Sequence, residues 1–201
     1  NGNAHGDWWE PAEKTPIPDD DPKRVFSLAK SSVGFLEERA ADKKPFYLMI
    51  SHYALHVRNT SLKSTREKYL EIVAKEKGIQ GKIPDISKFD ENADEMPKKL
   101  QPLWERANYS AMMENMDTSI GIVLDKLKAL GLEENTYVIF SSDNGGGAKN
   151  APLQGGKAKM WEGGLRGTGW LSGAGLHKTG YVSDALVHVA DLPFSLLALA
   201  A

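Results

Sequence analysis

Thr136-Tyr137-Val138-Ile139-Phe140-Ser141-Ser142-Asp143-Asn144-Gly145-Gly146-Gly147 is the stretch on which the reading of this chain turns. Residues 136–140 form a short run of β-branched, apolar and aromatic residues without polar alternation. Such a run predicts a strand covered on both faces, as in a parallel or mixed sheet. The run stops in a polar cluster that three glycines follow. In sheets of this kind ligands gather in the crevice at the carboxyl ends of the strands, so the cluster falls where chemistry is expected.

Upstream of the strand, Leu103 to Leu130 carries apolar residues at Ala107, Ala111, Ile120, Val123, Leu124, Leu127 and Leu130. That spacing predicts a long helix, with Gly131 as a left-handed C-terminal cap. An earlier unit of the same kind comes before it. Val25, Leu28, Ala29, Val33, Leu36 and Ala40 predict a helix over 23–41, entered through Asp21-Pro22 as cap and first helical position. After a break at Pro45, Phe46-Tyr47-Leu48-Met49-Ile50 predicts another buried strand. Residues 64–77 read as a charged surface helix, 78–101 as a long surface excursion, and 192–201 as an apolar helix. Helix, strand, helix, strand predicts an α/β layered fold, a mostly parallel or mixed sheet with helices on both faces. Residues 1–21 read as irregular loop and 22–201 as the α/β portion. With no initiator Met at Asn1, the chain is expected to be a piece of a longer protein.

Composition narrows the partners. A net charge of −2 gives no electrostatic reason to expect nucleic acid or an anionic membrane. No apolar run reaches the roughly 18–20 residues that span a bilayer. The absence of cysteine excludes disulfides and thiolate metal sites.

Three clusters carry candidate chemistry. Asp143 and Asn144 offer a carboxylate and an amide oxygen side by side at a strand end, the donor type that hard cations such as calcium or magnesium take. Asp, Asn and Gly are also the common turn residues, and two donors fall short of the six or more of a calcium site. Gly155-Gly156-Lys157, with Glu162-Gly163-Gly164, has the makings of an oxyanion cradle of backbone donors and one ammonium, or of a flexible loop. It is not a Walker A loop, since Ala158 stands where Ser or Thr is needed. Ser51-His52-Tyr53-Ala54-Leu55-His56 follows the first predicted strand. A zinc site is disfavoured there because the zincin Glu is missing, which leaves a single anion-binding or acid–base histidine, or packed histidines without a role. Ser27-Leu28-Ala29-Lys30, Ser142-Asp143-Asn144 and Lys178-Thr179-Gly180 reproduce the three serine β-lactamase signatures, but the surface helix carrying Ser27 argues against that reading.

Taken in order, the clusters resemble a known family. Residues 45–56 resemble the stretch P-F-[FY]-L-x-[LI]-S-x-[YN]-A-x-H of type I sulfatases, the formylglycine-dependent, arylsulfatase-like members of the alkaline phosphatase superfamily. Tyr109-Ser110-Ala111-Met112-Met113-Glu114-Asn115-Met116-Asp117 resembles their long-helix segment. Residues 135–146 resemble N-T-x-[VI]-[VI]-F-[TS]-S-D-N-G-G. Leu153-Gln154-Gly155-Gly156-Lys157 and Glu162-Gly163-Gly164-Leu165-Arg166 resemble L-x-G-G-K…E-G-G-[IL]-R. Four blocks in the family's order and spacing are far more specific than any one of them.

The resemblance implies an alkaline-phosphatase-like fold, represented here by the C-terminal portion of the catalytic domain. It implies that Asp143 and Asn144 are two ligands of a calcium ion, with magnesium as the possible substitute. It implies that Lys157 contacts a sulfate oxygen, that His56 stands beside the leaving group as general acid, and that His52 has a weaker substrate-binding role. Arg166 is expected to be structural. The implied substrate is a sulfated small molecule or carbohydrate, and the implied compartment periplasmic, secreted or lysosomal. The sequence departs from the family in three ways, one being that the paired aspartates of the family's first strand, which complete the calcium site, are not recognisable. No Pro has Cys or Ser two positions before it, so the Cys/Ser-x-Pro-x-Arg source of formylglycine is absent and this chain holds no nucleophile. After Arg166, Gly167-Thr168-Gly169-Trp170-Leu171 replaces the expected apolar strand, which leaves the sheet there open. A phosphate or phosphonate ester hydrolase of the same superfamily and a non-catalytic binding module are the alternative functions.

Overall fold

The computed structural model describes residues 19–56, 60–79, 96–147, 150–176 and 180–200. The chain divides into two compact units, 1–130 and 131–201.

The first unit is helical. A single 3-10 turn, Pro22–Arg24, leads into α1, Val25–Asp42. Asp21 caps this entry. Its Oδ1 accepts the backbone N–H of Phe26 at 2.8 Å, and its Oδ2 accepts the Ser27 hydroxyl. The carboxylate thus serves donors that a helix start leaves unpaired. Ser27 is consumed in this cap, and Lys178 lies outside the described residues, so the β-lactamase pattern gains no support. Val25, Ala29, Ser32 and Leu36 are buried on one stripe of α1, which packs on α3, Gln101–Ala129.

The helix expected at the surface over 64–77 is α2, Lys63–Glu76, which is exposed along one side and buries a stripe on the other. Leu70, Val73 and Ala74 bury themselves with Met96, Leu103 and Ala107 in the core between α2 and α3. Charged residues outnumber apolar ones on α2, but one apolar stripe is enough to anchor a helix. The expected excursion over 78–101 falls largely outside the described residues. At its far end Met96 is 3% exposed and Leu100 packs against the core, while residues 97–99 between them are exposed.

Buried polar residues line the same face of α3. Asn108 Oδ1 accepts the Ser61 hydroxyl at 2.5 Å. Asn115 Oδ1 accepts the Leu62 N–H at 2.9 Å, and its Nδ2 donates to Thr65 Oγ1 at 3.1 Å. These side chains stand in for the missing side-chain cap of α2. At the rim, Glu114 lies between Lys68 and Tyr69, and the Lys68 ammonium holds its carboxyl below the usual range.

Residues 46–50 do not form the expected buried strand. The segment carries no ladder, and its side chains alternate between half-buried and exposed, Tyr47 and Met49 being 68% and 70% exposed. A strand exists only with a hydrogen-bonded partner, and none of the described residues pairs with this one. Phe46 is fixed instead by an edge-on contact with Phe35 of α1, centroids 5.9 Å apart.

The second unit holds the one sheet among the described residues. β1, Tyr137–Ser141, pairs antiparallel with β2, Gly169–Gly173, in the register Phe140 to Trp170. β1 is half-buried rather than covered on both faces. Phe140 and Trp170 stack at 5.6 Å with their planes 6° apart. β2 forms despite the sequence departure after Arg166. Backbone pairing asks nothing of side-chain identity at Gly167 and Thr168, and Ser142 N–H extends the ladder to Thr168 O at 2.8 Å. Gly131, at φ 69°, takes the left-handed position expected after α3. A four-residue helix α4, Glu162–Leu165, and the terminal α5, Asp191–Ala200, complete the unit.

Candidate functional site

In the second unit the three motif segments cross one another as bare backbone. Gly145 N–H donates to Gly164 O at 3.0 Å, Lys157 N–H to Gly146 O at 2.8 Å, and Gly163 N–H to Gln154 O at 2.8 Å. Asn150 Nδ2 donates to Gly163 O at 2.5 Å, and Ser142 Oγ closes the turn on Asn144 O at 2.6 Å. The glycines are required by this closeness. A Cβ on Gly145 would stand 2.3 Å from Gly163 O, one on Gly163 2.4 Å from Gly155 O, and one on Gly164 2.2 Å from Lys159 O. The glycines approach each other's backbone.

This clasp brings Asp143, Asn144 and Lys157 together on linked backbone. Asn144 directly precedes the clasped Gly145-Gly146 pair, and Lys157 hangs from Gly146. Asp143 and Lys157 are exposed and Asn144 is half-buried. Among the described residues neither Asp143 nor Lys157 forms an ion pair. The Lys157 turn closes through Lys159 N–H to Gly156 O at 2.9 Å and holds Ala158 at φ 69°, a region that an L-residue enters at a cost of about 1–2 kcal/mol. Arg166 contributes through its backbone: its N–H ends α4 on Glu162 O at 2.8 Å.

The histidines belong to the first unit. His56 N–H donates to Tyr53 O at 3.2 Å, and Leu55 sits at φ 71° inside the turn. Positive φ at the third position of a turn ordinarily selects Gly or Asn. This turn folds Tyr53 back on His56. The Tyr53 hydroxyl is 2.7 Å from His56 Nδ1, and the ring centroids are 4.9 Å apart. The buried Lys23 places its ammonium over the Tyr53 ring, 4.9 Å from the centroid. His52 differs in kind. Its Nδ1 is buried without a hydrogen-bond partner, and burial holds the imidazole below the usual histidine range. A neutral ring offers sulfate at most a hydrogen bond.

The Asp143–Asn144 pair suits a hard cation in kind but not in number. Calcium takes six to eight oxygen ligands, and the described residues contain no group of three or more His, Cys, Asp or Glu able to hold a metal ion. The two residues therefore fit as part of a ligand set. Sequence reasoning missed two site residues. Asn150 belongs to no motif, and Tyr53 was taken only as a match to a pattern, whereas the short Tyr53–His56 spacing was the available signal.

A family model described as Sulfatase matches residues 2–201. Arylsulfatase J of Mus musculus is 40% identical over 99 residues, covering 47% of this chain and 17% of that protein. An ulvan-active sulfatase of Formosa agariphila is 29% identical over 212 residues, covering 96% of this chain and 38% of that protein. The solved structure of Ps i-CgsB in complex with k-i-k-neocarrahexaose is similar over 74% of this chain and 27% of its own, with TM-score 0.52 and 25% identity. The chain thus spans well under half the length of these relatives.

Proposed function

Given that this chain belongs to the sulfatase family, we propose that residues 1–201 are part of the catalytic domain of a sulfuric ester hydrolase acting on a sulfated carbohydrate or small molecule. The fold is the alkaline-phosphatase-like α/β fold of that family. The observation that carries the reading is the clasp, which ties Lys157 N–H to Gly146 O beside the Asp143–Asn144 pair.

Cleaving a sulfate ester builds negative charge on the departing oxygen. Lys157 contacts a sulfate oxygen and offsets that charge with its ammonium. His56 acts as general acid toward the leaving oxygen, and His52 is at most an auxiliary contact to substrate. Asp143 and Asn144 contribute two oxygen ligands to calcium, or to magnesium in its place. A divalent cation held there would supply Lewis-acid polarisation of the sulfate. The nucleophile, a formylglycine, comes from outside this sequence, which lacks its Cys/Ser-x-Pro-x-Arg source.

The ulvan-active relative and the neocarrahexaose complex favour a sulfated polysaccharide fragment as substrate. No helix among the described residues is long and apolar enough to cross a membrane. We place the protein in a periplasmic, secreted or lysosomal compartment, by analogy with its family.

The test is hydrolysis of an aryl sulfate and of sulfated oligosaccharides by the protein that carries this chain, with and without a calcium chelator. Sulfate release that falls on chelation, and by at least about a hundredfold in Lys157→Ala, is expected. Preference for the matching phosphate ester would move the assignment to a phosphoesterase. No turnover of either ester would leave a binding module.

A further inference from the structure

We propose that Asn150 is a positioning residue, whose side-chain amide bridges two backbone segments and so fixes where Lys157 stands relative to the Asp143–Asn144 pair. What Lys157 does there rests on the sulfatase reading; the bridge rests on geometry alone. Three observations converge on this half-buried side chain. Its Nδ2 donates to Gly163 O at 2.5 Å. Its amide lies against Gly146, where a Cβ would stand 2.4 Å from Asn150 Oδ1 and 2.9 Å from Nδ2, so the amide takes the space that a side chain at 146 would need. Its own carbonyl accepts the Leu153 N–H at 2.7 Å, which closes the turn leading into 153–157.

Both anchor points belong to the site. Gly146 O accepts the Lys157 N–H at 2.8 Å, and Gly163 N–H donates at 2.8 Å to the carbonyl of Gln154, on the segment that leads to the lysine. Asn150 therefore grips the two segments between which the lysine turn hangs. The chemistry of the contact demands a donor. The last carbonyls of a helix have no intrahelical partner. In the four-residue α4, Gly164 O takes a hydrogen bond from Gly145 N–H, and Gly163 O takes one from Asn150. An amide nitrogen can serve that carbonyl. A carboxylate of the same shape would set oxygen against oxygen, and an isobutyl group would withdraw the donor. Misplacing a reacting group by about 1 Å costs on the order of a hundredfold in rate, so a smaller shift of Lys157 is expected to cost about tenfold.

Asn150→Leu keeps the volume and removes the donor. Asn150→Asp keeps the shape and donates only while its carboxyl is protonated. Both are made in the protein that carries this chain, and hydrogen–deuterium exchange read by mass spectrometry reports on the bridge. Faster uptake over 153–165 in Asn150→Leu, with α3 unchanged, is the expected result. An unchanged 153–165 segment, or an equal rise in α3, overturns the proposal whatever happens to activity. In aryl sulfate hydrolysis Asn150→Leu is expected to lower kcat about tenfold at every pH. Asn150→Asp is expected to match that loss at about pH 7 and to recover toward the parent's value as the buffer is taken to about pH 4.5, because a carboxyl beside a carbonyl oxygen keeps its proton above the ordinary range. A side chain that only fills space would leave both variants at the parent's kcat. A kcat equal to the parent's in Asn150→Leu, or an Asn150→Asp to parent ratio that is flat with pH, overturns the proposal. If the parent hydrolyses no sulfate ester, the sulfatase reading fails, and the exchange alone decides whether Asn150 holds the lysine turn.

Discussion

Gly145→Ala is the sharpest test of the clasp. A Cβ at this position stands 2.3 Å from Gly163 O, 2.7 Å from Gly164 C and 2.9 Å from Gly163 C, all of them backbone atoms. No rotamer change relieves such a contact, so the two segments must part by about 0.7 Å to reach even the 3.0 Å floor of real Cβ contacts. The hydrogen bond from Gly145 N–H to Gly164 O is weakened or lost with that movement. Overpacking of this kind costs about 1–3 kcal/mol and a hydrogen bond about 1 kcal/mol more, so a destabilisation of about 2–4 kcal/mol is expected. The effect on activity is expected to be larger. Asn144 precedes the displaced residue and Lys157 hangs from the one after it, and misplacing a reacting constellation by about 1 Å costs on the order of a hundredfold. The control lies in the same glycine run. A Cβ on Gly147 meets nothing within 4 Å, so Gly147→Ala is expected to leave stability and turnover near the parent's. Urea unfolding and sulfate ester turnover are measured on both variants. Equal effects at Gly145 and Gly147 would refute the close-approach argument.

Three further outcomes follow from the geometry. Asn115→Ala removes two hydrogen bonds and leaves the Leu62 N–H without its acceptor, so chemical denaturation is expected to show a loss of about 3 kcal/mol; a loss under about 1 kcal/mol would mean that water replaces the amide. His52 has its pKa lowered by burial, so the unfolded chain binds a proton that the folded chain refuses. Stability is therefore expected to fall as pH drops below about 6.5, the unfolded histidine value, and a His52→Phe variant to show a flatter melting profile between about pH 8 and pH 5.5. An unchanged profile would place the pH dependence elsewhere. Ala158 is left-handed inside the Lys157 turn, so Ala158→Gly is expected to be neutral or stabilising, while Ala158→Val loses both stability and turnover in the same assays.

The helices were legible because an apolar stripe at three- and four-residue spacing is a property of the segment itself. α1 and α3 lie within about two residues of their expected ends. The strand expected at 46–50 was not legible in the same way. Apolar content says that a segment can pair, while pairing itself belongs to two segments at once, and no described residue pairs with Tyr47 or Met49. On α2 the many charges concealed the apolar stripe of Leu70, Val73 and Ala74. For the site, the motifs located Asp143, Asn144 and Lys157, but what brings these three together is backbone crossing backbone at Gly145, Gly163 and Gly164. Glycine runs mark such a place without telling which strands of chain will meet there.

The polar seam between α2 and α3 decides where this chain can change length. A seam of hydrocarbon alone tolerates sliding by a helical turn, about 5.4 Å, whereas Asn108 and Asn115 reach Ser61, Leu62 and Thr65 at one axial setting only. The start of α2 is therefore moored at its own first turn, independently of the connection that leaves its other end. Segments inserted or deleted between Ile79 and Met96 would leave Ser61 and Leu62 where they are. The register of α2 on α3 is thus written in three hydrogen bonds at one end of the helix.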